Sequence, residues 1–189
     1  MIKPYNTPKS EEKRILFEEK LLNMMEQCDY SKITVTKICE ELNIPRKSFY
    51  CYFSTKDDVL YSLVMRYIGQ IDYYNICSSI KEDSSILENL KSCLQYWKEN
   101  NRFLTILERN NLLSYLIECA TRYTIIEERK IPYISWKEPS SHSAKKVLFI
   151  VSGTMNLIFS WRKDGYLASV DEMAEVLNEL LTIGSLKNN

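Results

Sequence analysis

The sequence predicts an all-α protein with about nine helices in total, because apolar residues recur at helical rather than alternating spacing in most long segments. Only 4 Gly and 5 Pro punctuate the 189 residues, so few positions force a helix to stop. Residues able to cap a helix also stand just ahead of several of these segments. The length suffices for a real core, either as one domain or as a small module joined to a larger one. The formal net charge is zero and charged residues are spread along the chain, so any surface for a polyanion must be local.

A first helix is expected from Ser10, whose hydroxyl can cap while Glu11 and Glu12 complement the positive end of the helix dipole. Its apolar stripe is Phe17, Leu21, Met24, Met25 and Cys28. The second helix follows Thr34, with Val35, Ile38, Cys39 and Leu42 on one face, and Asn43 ends it because Asn tolerates the left-handed conformation. Pro45 opens a third, short helix, its fixed φ suiting the first turn, with Phe49 and Phe53 as the buried pair. A fourth starts at Thr55, with Asp58 completing a capping box, and carries the stripe Leu60, Leu63, Val64, Tyr67, Ile68 and Ile71.

Further helices are expected near 86–99, 102–110 and 112–129, then a loop from Ile131 to Ser143 containing Pro132 and Pro139. A long helix over 144–163 should end at Asp164-Gly165. The last helix follows Ser169, which can pair with Glu172 as a capping box, and Met173, Val176, Leu177 and Leu180 line one side of it.

Thr34 to Phe53 is the informative stretch. Two short helices joined by a tight turn form a helix-turn-helix, whose second helix enters the DNA major groove. Arg46, Lys47 and Ser48 occupy the N-terminal turn of that helix, the part that reaches base edges. Between residues 30 and 56 there are five basic side chains (32, 37, 46, 47, 56) and two acidic ones (40, 41), a local excess of +3 suited to phosphate neutralisation. A cation at a helix N-terminus is disfavoured by the dipole, so Lys56 asks for a reason, and a phosphate would supply one.

Thr34-Val35, Ile38-Cys39-Glu40, Tyr50-Cys51-Tyr52-Phe53 and Thr55-Lys56-Asp57-Asp58-Val59 fall in order at spacings that resemble the TetR family of transcription regulators. Asn43 stands where that family usually has Gly, Pro45 where it has a Ser cap, and Cys51 where His is common. The resemblance implies a helix-turn-helix DNA-binding domain over 1–65 (motif 34–53) and a helical effector-binding and dimerisation domain over 66–189. It also implies that Thr34, Thr36, Lys37 and Lys56 touch phosphates of operator DNA. Arg46, Lys47 and Ser48 would read bases, with Tyr50 and Tyr52 against backbone or thymine methyls. Phe159-Ser-Trp161-Arg-Lys-Asp-Gly165 and Ser169-Val-Asp-Glu-Met173 also resemble a subgroup that includes activators of dihydroxyacetone kinase operons, some of which answer to a protein partner.

Two functional readings follow from these features. The first is a repressor released from a pseudo-palindromic operator by a small-molecule effector, with Tyr96, Trp97, Phe103, Tyr115 and Tyr123 as candidate ligand residues. Trp136 belongs to the same aromatic set. The second is a protein-responsive co-regulator or activator whose C-terminal domain docks a partner protein. A homodimer is expected through 144–163, which is apolar on nearly all sides, and 170–181.

No catalytic constellation stands out, so no enzyme and no cofactor are expected. Six single cysteines, at 28, 39, 51, 77, 93 and 119, and the lone His142 lack metal-ligand spacing. The residues from Met1 to Pro8 lack the apolar core of a signal peptide, and the uncharged run Val147 to Trp161 is shorter than the roughly 20 residues a membrane span needs. A cytoplasmic protein with reduced thiols is the expectation.

Overall fold

The computed structural model describes residues 7–71, 86–129 and 142–183. Among the described residues there are nine α-helices, one 3-10 turn and no strand, so the expected fold class holds. The chain forms two compact units, the first built from residues 1–67 with 102–113 and the second from 68–101 with 114–189.

In the first unit, α1 (Pro8–Gln27) starts two residues before Ser10. Thr7 is the cap: its Oγ1 accepts the Ser10 N–H at 3.3 Å, while Ser10 Oγ accepts the Thr7 N–H at 3.2 Å. Ser10 is thus the N3 partner of a capping box, and Pro8 sits in the first turn, where its missing N–H is no loss. A 3-10 turn (Tyr30–Lys32) leads to α2 (Val35–Glu41), α3 (Arg46–Tyr52) and α4 (Lys56–Ile68). The rings of Phe17, Phe49 and Phe53, all fully buried, meet at centroid distances of 5.3, 6.1 and 5.9 Å. Each such ring contributes about 1.5–3 kcal/mol of burial.

A buried polar network joins α1 to α4. The Glu18 carboxylate accepts Ser62 Oγ–H at 2.6 Å and Arg66 Nε–H at 2.6 Å, and Arg66 also reaches Glu19. Burial pushes the Glu18 carboxyl above its ordinary value, against the opposing pull of Ser62 and Arg66.

Helix α6 (Asn101–Arg109) and the turn after it cover the other side of α1. Arg102 Nη2 donates to Asn23 Oδ1 at 2.7 Å and to Glu26 Oε2 at 2.6 Å. The Asn110 side chain ties this turn to the rest of the unit: Nδ2 donates to the Met25 carbonyl at 3.0 Å, and Oδ1 accepts the Tyr30 N–H at 2.6 Å. Phe103 is buried and stacks on Tyr67 with centroids 3.8 Å apart.

The second unit contains α5 (Ile86–Glu99), α7 (Leu113–Arg129), α8 (His142–Lys163) and α9 (Val170–Ile183). Most of the expected loop, 131–141, lies outside the described residues, Trp136 included. Helix α9 packs along α5, which also meets α8. Helix α8 closes on Gly165 and Tyr166, with φ of 70° and 58°. The Tyr166 N–H bonds the Trp161 carbonyl at 2.9 Å, as a left-handed helix stop requires. The capping box before α9 forms as expected: Glu172 N–H donates to Ser169 Oγ at 3.2 Å and Ser169 N–H to Glu172 Oε2 at 2.7 Å.

The stripe expected on α9 is divided. Leu177 is buried together with Ala174, whereas Val176 and Leu180 are exposed, as are Leu148 and Phe149 on α8. These helices carry apolar residues over more of their circumference than α5 and the rest of the unit cover.

Candidate nucleic-acid interface

Thr34 has an extended backbone, and its Oγ1 accepts the Lys37 N–H at 3.2 Å, so the start of α2 is fixed by the residue that the sequence marks. Helix α2 then turns at Asn43, whose φ of 51° lets the Ile44 N–H bond the Cys39 carbonyl at 2.9 Å. Pro45 lies one residue earlier than expected. It is the N-cap of α3, with ψ of 139°, and its carbonyl accepts the Ser48 N–H at 2.8 Å.

Because Phe49 is fully buried, helical geometry turns the opposite side of α3 outward. Arg46 and Lys47 are exposed and Ser48 is half-buried. Lys37 is exposed on α2, so every cation of α2 and α3 faces solvent, while Thr36 is half-buried. Arg46 Nη2 donates to the Tyr50 hydroxyl at 3.2 Å, with the guanidinium 6.0 Å from the ring centroid. Tyr50 in turn stands edge-on to Phe49 at 5.5 Å. Tyr52 turns inward: it is half-buried, with its ring 6.1 Å from that of Phe17.

Lys56 finds partners that sequence reasoning missed. Its Nζ donates to the carbonyls of Tyr30 at 2.8 Å and Ile33 at 2.9 Å, and lies 4.3 Å from the centre of the Tyr30 ring. Two backbone oxygens and an aromatic face therefore account for a cation at the start of α4. The Tyr30 hydroxyl donates to the Asp57 carboxylate. Thr55 and Asp58 cap the helix as expected, at 3.1 and 3.0 Å. Of the other cations in the window, Lys32 is paired with Asp29 at 2.8 Å.

The five candidate ligand aromatics do not gather in one unit. Phe103 belongs to the first unit, against Tyr67. Tyr96, Trp97, Tyr115 and Tyr123 belong to the second. Trp97 is fully buried with Tyr96 edge-on to it at 5.3 Å, and Tyr115 and Tyr123 are half-buried on α7. Tyr115 hydrogen-bonds the Cys119 side chain.

Cysteines 28, 39, 51, 93 and 119 are free thiols, and burial pushes Cys93 up to about 12, where it stays protonated. Among the described residues no cluster of His, Cys, Asp and Glu could hold a metal ion, and no helix is long and apolar enough to cross a membrane.

No family model and no curated protein matches the chain. Among solved structures it is similar to the fatty acid degradation regulator FadR from Bacillus halodurans. The TM-score is 0.53 at 17% identity, over 95% of this chain and 97% of that one. That likeness establishes a shared helical fold along almost the whole length of both chains.

Proposed function

We propose that this chain is a sequence-specific, DNA-binding transcription regulator of the TetR type, acting as a homodimer in the cytoplasm. One observation carries the reading: α3, anchored by buried Phe49 and reached from α2 through the left-handed turn at Asn43, presents Arg46 and Lys47 to solvent, with half-buried Ser48 beside them. A short helix with a cationic, polar first turn is the part that a helix-turn-helix inserts into the major groove. The fold shared with a regulator of fatty acid degradation is consistent with it.

In this reading Arg46, Lys47 and Ser48 meet bases, while Thr34, Thr36 and Lys37 meet phosphates. Tyr50 lies beside Arg46 at the same surface, and Lys56 serves the phosphate surface by holding the 30–33 turn. A dimer through α8 and α9, whose exposed apolar residues support it, would present two such helices to a pseudo-palindromic operator. A small-molecule effector of the second unit releases the operator to the extent that it binds the DNA-free state more tightly.

The exposed Leu148 and Phe149 also fit the alternative, a co-regulator docking a partner protein on α8. Selection of duplexes from a randomised DNA library by the purified protein, with its mass measured by light scattering, tests the reading. Enrichment of an inverted repeat by a dimer is expected. A monomer that enriches no sequence would overturn it.

A further inference from the structure

We infer that Tyr50 is a positioning residue for Arg46, and that Arg46, held by it, reads a guanine in the major groove. The inference rests on the regulator reading above and goes beyond it by assigning one base and one supporting side chain. An arginine on a solvent-facing helix surrenders much of its rotamer freedom when it binds. Arg46 has surrendered part of it beforehand, because its Nη2 is already bonded to the Tyr50 hydroxyl one helical turn away.

Tyr50 is fit for this task. Its ring has few rotatable bonds and stands edge-on to Phe49, which is fully buried among Phe17 and Phe53. A rigid path therefore runs from the aromatic core, through the phenol, to the guanidinium. The bond to Tyr50 occupies one of five guanidinium donors, so a fork of two parallel N–H groups remains. Guanine offers two acceptors, O6 and N7, at the spacing of that fork, whereas adenine sets an amino donor in place of O6. Arg46 is the first residue of α3, in the turn that approaches base edges. Lys47 beside it is a compact charge that suits a phosphate or a single acceptor better than a two-acceptor edge.

The test uses the full-length protein and a randomised duplex library, comparing wild type, Tyr50→Phe, Arg46→Ala and the double variant. Tyr50→Phe keeps the ring on Phe49 and removes only the hydroxyl. Wild type should enrich guanine at one position of each half-site, and Arg46→Ala should lose that preference. Tyr50→Phe should weaken it by about three- to tenfold, leaving other positions, affinity for unselected DNA and the salt slope unchanged.

In the Arg46→Ala background, Tyr50→Phe should change nothing further. Equal loss on all sequences would make Tyr50 a backbone contact, and a shallower salt slope would mean that it holds Arg46 on a phosphate; either result would overturn the inference. So would additive effects in the double variant, a guanine preference that survives Arg46→Ala, or one that is undiminished in Tyr50→Phe. Survival of the preference in Arg46→Ala leaves the regulator reading intact. Failure of wild type to enrich any sequence overturns both.

Discussion

The outward faces of the two compact units differ in kind, although each is backed by an aromatic core. On α2 and α3 the solvent-facing side chains include Lys37, Arg46 and Lys47, above the Phe17, Phe49 and Phe53 rings. On α8 and α9 they include Leu148, Phe149, Val176 and Leu180, with Phe149 at 73% exposure, while Trp97, Ala174 and Leu177 are buried in the same unit. Cations in water are well solvated and wait for a polyanion without penalty. Apolar side chains left in water forgo about 25 cal/mol for each Å² that a partner would cover. One face is thus suited to DNA and the other to protein, and the outer side chains, not the cores, set the difference.

The comparison breaks first at the cores. Phe49→Ala should lower the unfolding free energy by about 3–5 kcal/mol, read from urea denaturation by circular dichroism, because the ring fills the centre of the first unit. A loss below about 1 kcal/mol would mean that α3 is not anchored through this side chain.

Phe149→Glu should leave the fold intact while raising the dimer dissociation constant about 100-fold or more, a cost of about 3 kcal/mol from facing like charges across a twofold interface. Sedimentation velocity over a concentration series measures it, and an unchanged association state would remove the protein-facing side of the contrast.

Within the cationic face, Lys47 and Lys56 should separate. Lys47→Ala should weaken binding to a selected operator by about 1–3 kcal/mol with no change in melting temperature. Lys56→Ala should instead destabilise the free protein by about 1 kcal/mol, since the Ile33 carbonyl loses the Lys56 donor and the Tyr30 carbonyl keeps the Ile33 N–H alone of the two that reach it. Differential scanning calorimetry on both variants, beside a DNA titration, tests the division. Equal melting temperatures would return Lys56 to the phosphate role expected from sequence.

The smallest effect concerns Glu18. Its folded carboxyl titrates above the ordinary 4.5, mainly through burial, so the folded chain binds this proton more tightly than the unfolded chain does. Stability from this group is fully present below 4.5 and is lost as pH rises through the raised folded value. Glu18→Gln carries no such proton. The difference in unfolding free energy between the two proteins should therefore change across that window and stay constant above it. A difference that is flat throughout would show that Glu18 titrates normally.

Much of the helix-turn-helix was legible because its signals are local. Thr34 as a cap, Asn43 at positive φ, Phe49 with Phe53, and the Thr55–Asp58 box each act within a few residues. At the start of α1 the local signal is ambiguous, since Thr7 and Ser10 are both good caps, and Pro8 in the first turn favours Thr7. The partners of Lys56 were invisible for another reason: backbone carbonyls 23 and 26 residues away leave no mark on composition or spacing. The Arg46–Tyr50 pair has a visible signal in its four-residue spacing on one helix. On α9 the periodicity identified an apolar stripe without showing that only part of it would be covered.

Asn110 carries a consequence for how the molecule comes into being. Its amide closes bonds to Tyr30 and Met25, 80 and 85 residues earlier in the chain. Arg102 does likewise toward Asn23 and Glu26. During synthesis the first 67 residues leave the ribosome well before these partners exist, so the first unit is finished late, after residue 113 has emerged. Contacts this distant in sequence slow folding. A fragment cut at residue 67 would accordingly keep α3 and lose the bonds that tie the end of α1 and the 3-10 turn to Arg102 and Asn110.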